Sequence, residues 1–281
     1  MGPRTGDTMN FAGLFGFVCA GGVLYFAIHG ATKDVGLFMD PHAIIIVLGG
    51  SFTVALISFS FKRLYGGLKV VAKKTLGGER EDYLGTIKQI VTMAEAYRQE
   101  PAKAMALVND KTHPFLTDGM KLLVDYGFAA DDLDNILSNA LKGKKKRDLD
   151  EVKVWQTISR FPPAFGLLGA TLGMIALLQT LGEPGAQDRI GPAMSVALVA
   201  TFYGLAFANL VFIPIAERMG EVSAGDIMLR QIIKDGVVLI AERKHPSFIE
   251  EYLKSFLAPG QRKQDMLGGG SSDSGTKNKA A

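Results

Sequence analysis

The side chains that could do chemistry inside the long apolar runs of this sequence are few and neutral. Ser51, Thr53, Thr171, Ser195 and Thr201 offer hydroxyls, and Gln179 offers an amide near the outer end of its run. Such groups can bind an ion or stabilise a charge, but none of them titrates near neutral pH. None of the runs carries an Asp, Glu, Lys or Arg away from its ends. An ionisable group inside a membrane is the usual mark of an ion or proton path. If this chain moves ions, the titrating group must therefore come from another chain. His29 and His42 fall at run boundaries, where an interfacial role outweighs proton relay. Thr201, in the middle of its run and on a face of small residues, has two readings: a hydroxyl bonded back to its own helix, or one facing the ion.

The elements that must position these groups follow from composition. Of 281 residues 48% are hydrophobic, and they gather into four blocks separated by segments as charged as an ordinary soluble domain. The expectation is an all-α membrane protein with four transmembrane helices and a helical cytoplasmic domain between the second and third. Spans are expected at about 10–30, 42–61, 161–181 and 190–216, each near the ~20 residues that cross a ~30 Å hydrocarbon core. Lys62, Arg63, Lys69, Lys73 and Lys74 follow the second span at once, whereas the link before it carries Lys33, Asp34 and Asp40. The positive-inside rule then puts residues 62 onward, and both termini, in the cytoplasm.

Domain organisation is expected as a flexible extension over 1–8, spans one and two over 9–61, a cytoplasmic helical domain over 62–160, spans three and four over 161–216, a cytoplasmic helical segment over 217–264, and a disordered Gly- and Ser-rich tail over 265–281. Within the cytoplasmic part, Tyr83, Leu84, Ile87, Ile90, Val91, Ala94 and Tyr97 recur at helical spacing. Pro101 and Pro114 open new segments, and Ala130-Asp131-Asp132 starts a helix expected over Leu133 to Leu141, closed by the basic run Lys142 to Arg147. That run reads as a solvated face or a membrane-surface anchor.

Spans three and four differ in kind from the others. Gly166 with Ala170, Gly169 with Gly173, and Ala193, Ala197, Thr201 and Ala200, Gly204, Ala208 fall four apart, a spacing that lets helix backbones approach closely. These two spans should be buried in an assembly. The first two, rich in Leu24, Phe26, Ile44 to Val47 and Ile57, should face lipid. Pro163 and Pro214 frame the same pair, each a hinge or a local kink, with a helix start also open for Pro163.

The remaining classes have little support. A solute transporter should show inverted repeats or broken helices with polar sites at mid-span. No phosphate loop, metal cluster or nucleophile and base pair is present, so an enzyme is not expected. Cys19 is the only cysteine, inside an apolar run, so neither an intrachain disulfide nor a cysteine metal site can form. The net charge of +3 lacks the aromatic interleaving that stacks bases, so no nucleic acid partner is expected.

Phe161-Pro-Pro-Ala-Phe-Gly-Leu-Leu-Gly-Ala-Thr-Leu-Gly-Met174 and Met194-Ser-Val-Ala-Leu-Val-Ala-Thr-Phe-Tyr-Gly204 resemble the third and fourth spans of the flagellar motor stator A subunit, the MotA/PomA family of the MotA/TolQ/ExbB superfamily. Ala208-Asn209, Ile213-Pro214-Ile215-Ala216-Glu217 and His245 to Leu257 continue the likeness, which covers nearly all of residues 9–258. The resemblance implies a pentameric ring around a B subunit of MotB type whose membrane aspartate carries the ion, and torque on the rotor switch protein FliG. It matches Pro163 and Pro214 to prolines that couple ion binding to shape change, and Arg98 to a rotor-contacting arginine. The acidic rotor partner of the family falls on Ala106, so either Glu100 takes that role or the rotor contact is built differently here. Sodium-driven members have threonines where this chain has Ala170 and Ala200, beside Thr171 and Thr201. Fewer oxygens suit a proton better than a hard cation, so H+ is expected and Na+ is the alternative, with no cofactor. The related ExbB and TolQ subunits are the competing reading, weakened by the first apolar hairpin, since they typically have three spans.

Overall fold

The computed structural model describes residues 11–31, 35–61, 64, 81–182 and 184–260. The expected extension at 1–8, the tail at 265–281 and the basic flank from Lys62 to Lys74 lie outside the described residues. Every regular element among those described is helical. Among the described residues three stretches are long and apolar enough to cross a membrane: Pro41–Ser58 and windows within Ala130–Thr180 and Ile190–Ala241. A shorter apolar stretch, Val18–Gly30, lies within α1 (Phe11–Ala31).

The chain divides into two compact units, one of residues 1–79 and 147–223 and one of 80–146 and 224–281. The first holds α1, α2 (Pro41–Ser58), the end of α6 (Ala130–Ile158), α7 (Phe161–Thr180), α8 (Ala186–Phe207) and the start of α9 (Ile213–Ala241). Asp40 caps α2 by accepting the His42 N–H at 2.9 Å, with Pro41 in the first turn, where its missing N–H costs nothing. A single π-helical turn interrupts α2 at Ile45–Gly49, and another, Ala208–Phe212, joins α8 to α9. The second turn ends two residues before Pro214, whose absent N–H removes the usual partner of the Leu210 carbonyl. Pro163, by contrast, lies in the first turn of α7, where N–H groups have no intrahelical partner in any case.

One side of α2 departs from the expectation that the first two spans simply face lipid. Ile45, Phe52 and Ile57 are exposed, but Ala43, Val47, Ser51 and Ala55 form a buried face. Ala43 and Val47 pack with Val199 and Ala200 of α8. On α1, Phe15, Val18, Val23, Tyr25 and Phe26 are all exposed.

The second unit is a small soluble-type core. Asp82 accepts the Gly85 N–H at 2.8 Å and starts α3 (Tyr83–Gln99), whose Ile87, Ile90 and Met93 are fully buried. They meet Leu116 and Met120 of α5 (Pro114–Val124), Leu133 and Leu137 of α6, Ile232, Ile233 and Val237 of α9, and Ile249 and Leu253 of α10 (Pro246–Lys254). The short α4 (Pro101–Ala106) contributes Ala104. Two His-Pro pairs start helices here in the same way: His113 Nδ1 accepts the Phe115 N–H at 3.1 Å, and His245 Nδ1 accepts the Ser247 N–H at 3.3 Å.

The helix expected to end at Leu141 does not end there. α6 runs unbroken through the basic run to Ile158, because Lys and Arg are good helix formers. Nor is the whole run a solvated face, since Lys144 is partly buried and pairs with Asp226 at 3.2 Å.

Candidate functional site

The closest helix packing in the first unit is the seam between α7 and α8, and glycine is required along it. A Cβ built on Gly204 would collide with the backbone carbonyl of Pro162. One on Gly166 would lie 2.8 Å from the Ala200 carbonyl oxygen, and ones on Gly169 and Gly173 would lie 2.9 Å from the β-carbons of Ala200 and Ala197. The small-residue spacing therefore does what it was read to do: it brings two backbones into contact. α2 seats on the same pair, with Gly50 against the Phe165 ring, so that a Cβ there would enter the ring. Near the α2 N-terminus the Tyr203 hydroxyl donates to the Phe38 carbonyl.

Of the residues expected along an ion path, Thr201 is the one that reaches across the seam. Its hydroxyl donates to the Gly166 carbonyl at 3.4 Å, not back to its own helix. Ala200 beside it is 2% exposed and faces Gly169 and the α2 cluster, so it presents no group to an open path. Ala170 is half-buried and Thr171 exposed, with the Thr171 hydroxyl donating to Leu168 of its own helix at 2.8 Å. The seam itself holds no ionisable side chain between Phe161 and Thr180 or between Ile190 and Ala216. Among the described residues no group of three or more His, Cys, Asp or Glu could hold a metal ion.

Residues 108–254 match the model of the MotA/TolQ/ExbB proton channel family. Over 231 residues the chain is 34% identical to the chemotaxis protein PomA of Vibrio alginolyticus, covering 82% of this chain and 88% of that one. The chain belongs to the MotA/TolQ/ExbB proton channel family. It is also similar to motility protein A of Borreliella burgdorferi, at 28% identity over 91% of this chain and 97% of that one. Its fold matches the flagellar MotAB stator complex of Bacillus subtilis with a TM-score of 0.82 at 23% identity, covering 90% of this chain and 98% of that chain. The C. jejuni MotAB structure matches with a TM-score of 0.79 at 20% identity, covering 89% and 97%. A subunit of this proton channel family is a membrane protein and not an enzyme.

In the second unit of this MotA/TolQ/ExbB-family chain, Arg98 lies in the last turn of α3 and Glu100 caps its end, both exposed. Glu100 lies 3.6 Å from Lys103, and Ala106, at the end of α4, is exposed as well. Sequence reading missed the charge cluster deeper in this unit. Asp226 on α9 holds Arg230 at 3.1 Å and Lys144 at 3.2 Å, with His113 Nε2 at 3.8 Å. Because His113 Nδ1 accepts a backbone N–H, its proton sits on Nε2, toward Asp226. Burial pushes the Asp226 carboxyl up, but His113, Arg230 and Lys144 together outweigh that and hold it well below the usual carboxylate range. Lys234 is the converse case. Burial lowers it, yet Asp134 at 2.6 Å and Asp235 at 2.8 Å raise it above its ordinary value.

The sign for Asp226 follows from linkage. A depressed folded pKa contributes stability above the unfolded value, about 3.9, and that contribution is lost as pH falls below it. Asp226→Asn is expected to cost about 2 kcal/mol at pH 7, since Lys144 and Arg230 lose their counter-charge and one of the two acceptor oxygens becomes a donor. Thermal unfolding of the purified protein from pH 7 to pH 3 should show the gap between variant and wild type closing below about pH 4.

Proposed function

We propose that the chain is the ring-forming A subunit of a flagellar motor stator, an ion-driven rotary unit that converts ion flow through the membrane into torque on the rotor. The observation that carries this reading is a close-packed pair of membrane helices, α7 and α8, with no carboxylate along the seam of a chain belonging to a proton channel family. An ion path built on such a pair needs an acid from a partner, and the MotAB complexes of similar fold pair two kinds of subunit. The partner proposed here is a B subunit of MotB type that supplies the membrane aspartate.

In this reading α1, α2, α7 and α8 are four spans of a bacterial inner-membrane protein. Residues 62–160 and 217–264 and both termini lie in the cytoplasm, residues 1–8 and 265–281 are flexible, and five copies surround the B subunits. Ala170, Thr171, Ala200 and Thr201 flank the ion path, and Pro163 and Pro214 couple ion binding to shape change. Arg98 and Glu100 meet FliG. Proton drive is supported by the residue types: Ala170 and Ala200 have no side-chain oxygen to offer, so a hard cation would find few ligands in place of its water. The ExbB or TolQ reading is less well supported, because PomA and motility protein A align over most of this chain.

Co-purification with the B subunit in detergent, followed by mass determination of the intact complex, tests the proposal. A five-to-two assembly is the expected result. A stable oligomer of this chain that retains no such partner would leave it without a membrane carboxylate and overturn the reading.

A further inference from the structure

At one end of the α7 and α8 seam the packing opens into a cavity of about 590 Å³. Its polar wall is made by Gln156, Ser159 and Arg160 at the end of α6, Asn209 in the π-helical turn, and Glu217 in the first turns of α9, with Pro163 at its edge. The cavity continues the face that carries Thr201. Ala208, which also lines it, is seven residues on from Thr201, and Pro163 is three residues before Gly166, so both lie on the seam faces of their helices. Between Thr201 and the cavity the seam is closed by Gly204 against the Pro162 carbonyl.

Two of the lining polar groups are committed: the Ser159 hydroxyl donates to Gln156 at 2.9 Å and the Asn209 amide donates to Leu205 at 2.9 Å. Glu217 and Arg160 are both exposed, and neither side chain has a hydrogen-bond or ion-pair partner among the described residues. At ~30 Å³ per water the space accommodates a chain of waters. A π-helical turn at this point is the kind of local distortion that recurs at functional sites.

We propose that this cavity is the release chamber for the transported ion and that the Glu217 carboxylate receives the proton there. The inference rests on the reading of the chain as an ion-conducting stator subunit. A proton delivered through water forms an O–H bond on one Glu217 oxygen and breaks its bond to the donor water. It then passes to bulk water and the carboxylate is regenerated, with no oxidation or reduction. The fixed positive charge of Arg160 on the same wall opposes the accumulation of cations in the chamber, so the ion leaves it.

The test uses the intact complex with its B-type partner in proteoliposomes containing a pH-sensitive dye, with a potential imposed. Glu217→Gln is expected to lower proton flux about a hundredfold, the low end of what a positioned proton-transfer group contributes. Glu217→Asp should stay within about twofold of wild type, and entrapped imidazole should restore flux to Glu217→Gln, because a mobile buffer replaces a proton carrier but not a packing contact. Asn209→Leu, which removes a polar group from the same wall with Glu217 intact, should lower flux at least threefold. Wild-type flux in Glu217→Gln, or a loss that neither aspartate nor imidazole recovers, overturns the inference. A wild-type complex that conducts no ion overturns the stator reading beneath it instead.

Discussion

Gly204→Val is expected to abolish assembly of the folded protein, with a cost of about 3 kcal/mol or more from overpacking alone. The atom that a Cβ would strike is the backbone carbonyl of Pro162, with the Pro163 Cα also near, and neither can rotate away. The two helices would have to part along their length. Gly169→Ala meets a different neighbour, the Ala200 β-carbon at 2.9 Å, and a side chain can be removed. Gly169→Ala should therefore destabilise, and the double variant with Ala200→Gly should recover most of the loss, whereas no single neighbour substitution rescues Gly204→Val. Gly191→Ala, in the same helix with nothing within 4 Å, should stay within about 0.5 kcal/mol of wild type. Yield and thermal midpoint of the detergent-purified protein report all of these. Wild-type yield for Gly204→Val would mean that the seam is not a close backbone contact.

That seam was legible in the sequence because small residues four apart on an apolar helix have few other reasons to recur, and the partners of Gly169 and Gly173 proved to be Ala200 and Ala197 of the same pattern. The openings at Pro101 and Pro114 were legible for a similar reason: a proline acts within one turn. What the sequence hid was long-range. Nothing local joins His113, Lys144, Asp226 and Arg230, or Asp134 to Lys234, because side-chain periodicity reports which face is buried and not what covers it. Lys144 looked like part of a solvated run because its partner lies 82 positions away. The π-helical turns have no periodic signature, and the direction of the Thr201 hydroxyl depends on a carbonyl in another helix.

On the proposed function, Arg98→Glu is expected to abolish motility while leaving the protein's stability within about 0.5 kcal/mol and proton flux within about twofold of wild type, the first as for any surface change away from packed features. The Arg98 side chain is exposed at the end of α3 and has no ion-pair or hydrogen-bond partner among the described residues, so its charge is available to a partner surface. Reversal replaces attraction with repulsion, and like charges brought together at an interface suppress docking more than neutralisation does. Glu100 differs. It lies 3.6 Å from Lys103 with both side chains more than half exposed, so part of its field is already answered locally. Glu100→Gln should therefore reduce swimming speed far less than Arg98→Glu. With alanine at 106, where the family's acid would fall, rotor contact rests more heavily on the arginine. Ala106→Glu in the wild-type background should then raise torque against a rotor with a basic face and lower it against an acidic one. Cells tethered by a single filament distinguish these outcomes directly. Normal torque from Arg98→Glu would remove this arginine from the rotor interface, whereas lost torque with lost proton flux would place the defect in the channel and not at the rotor.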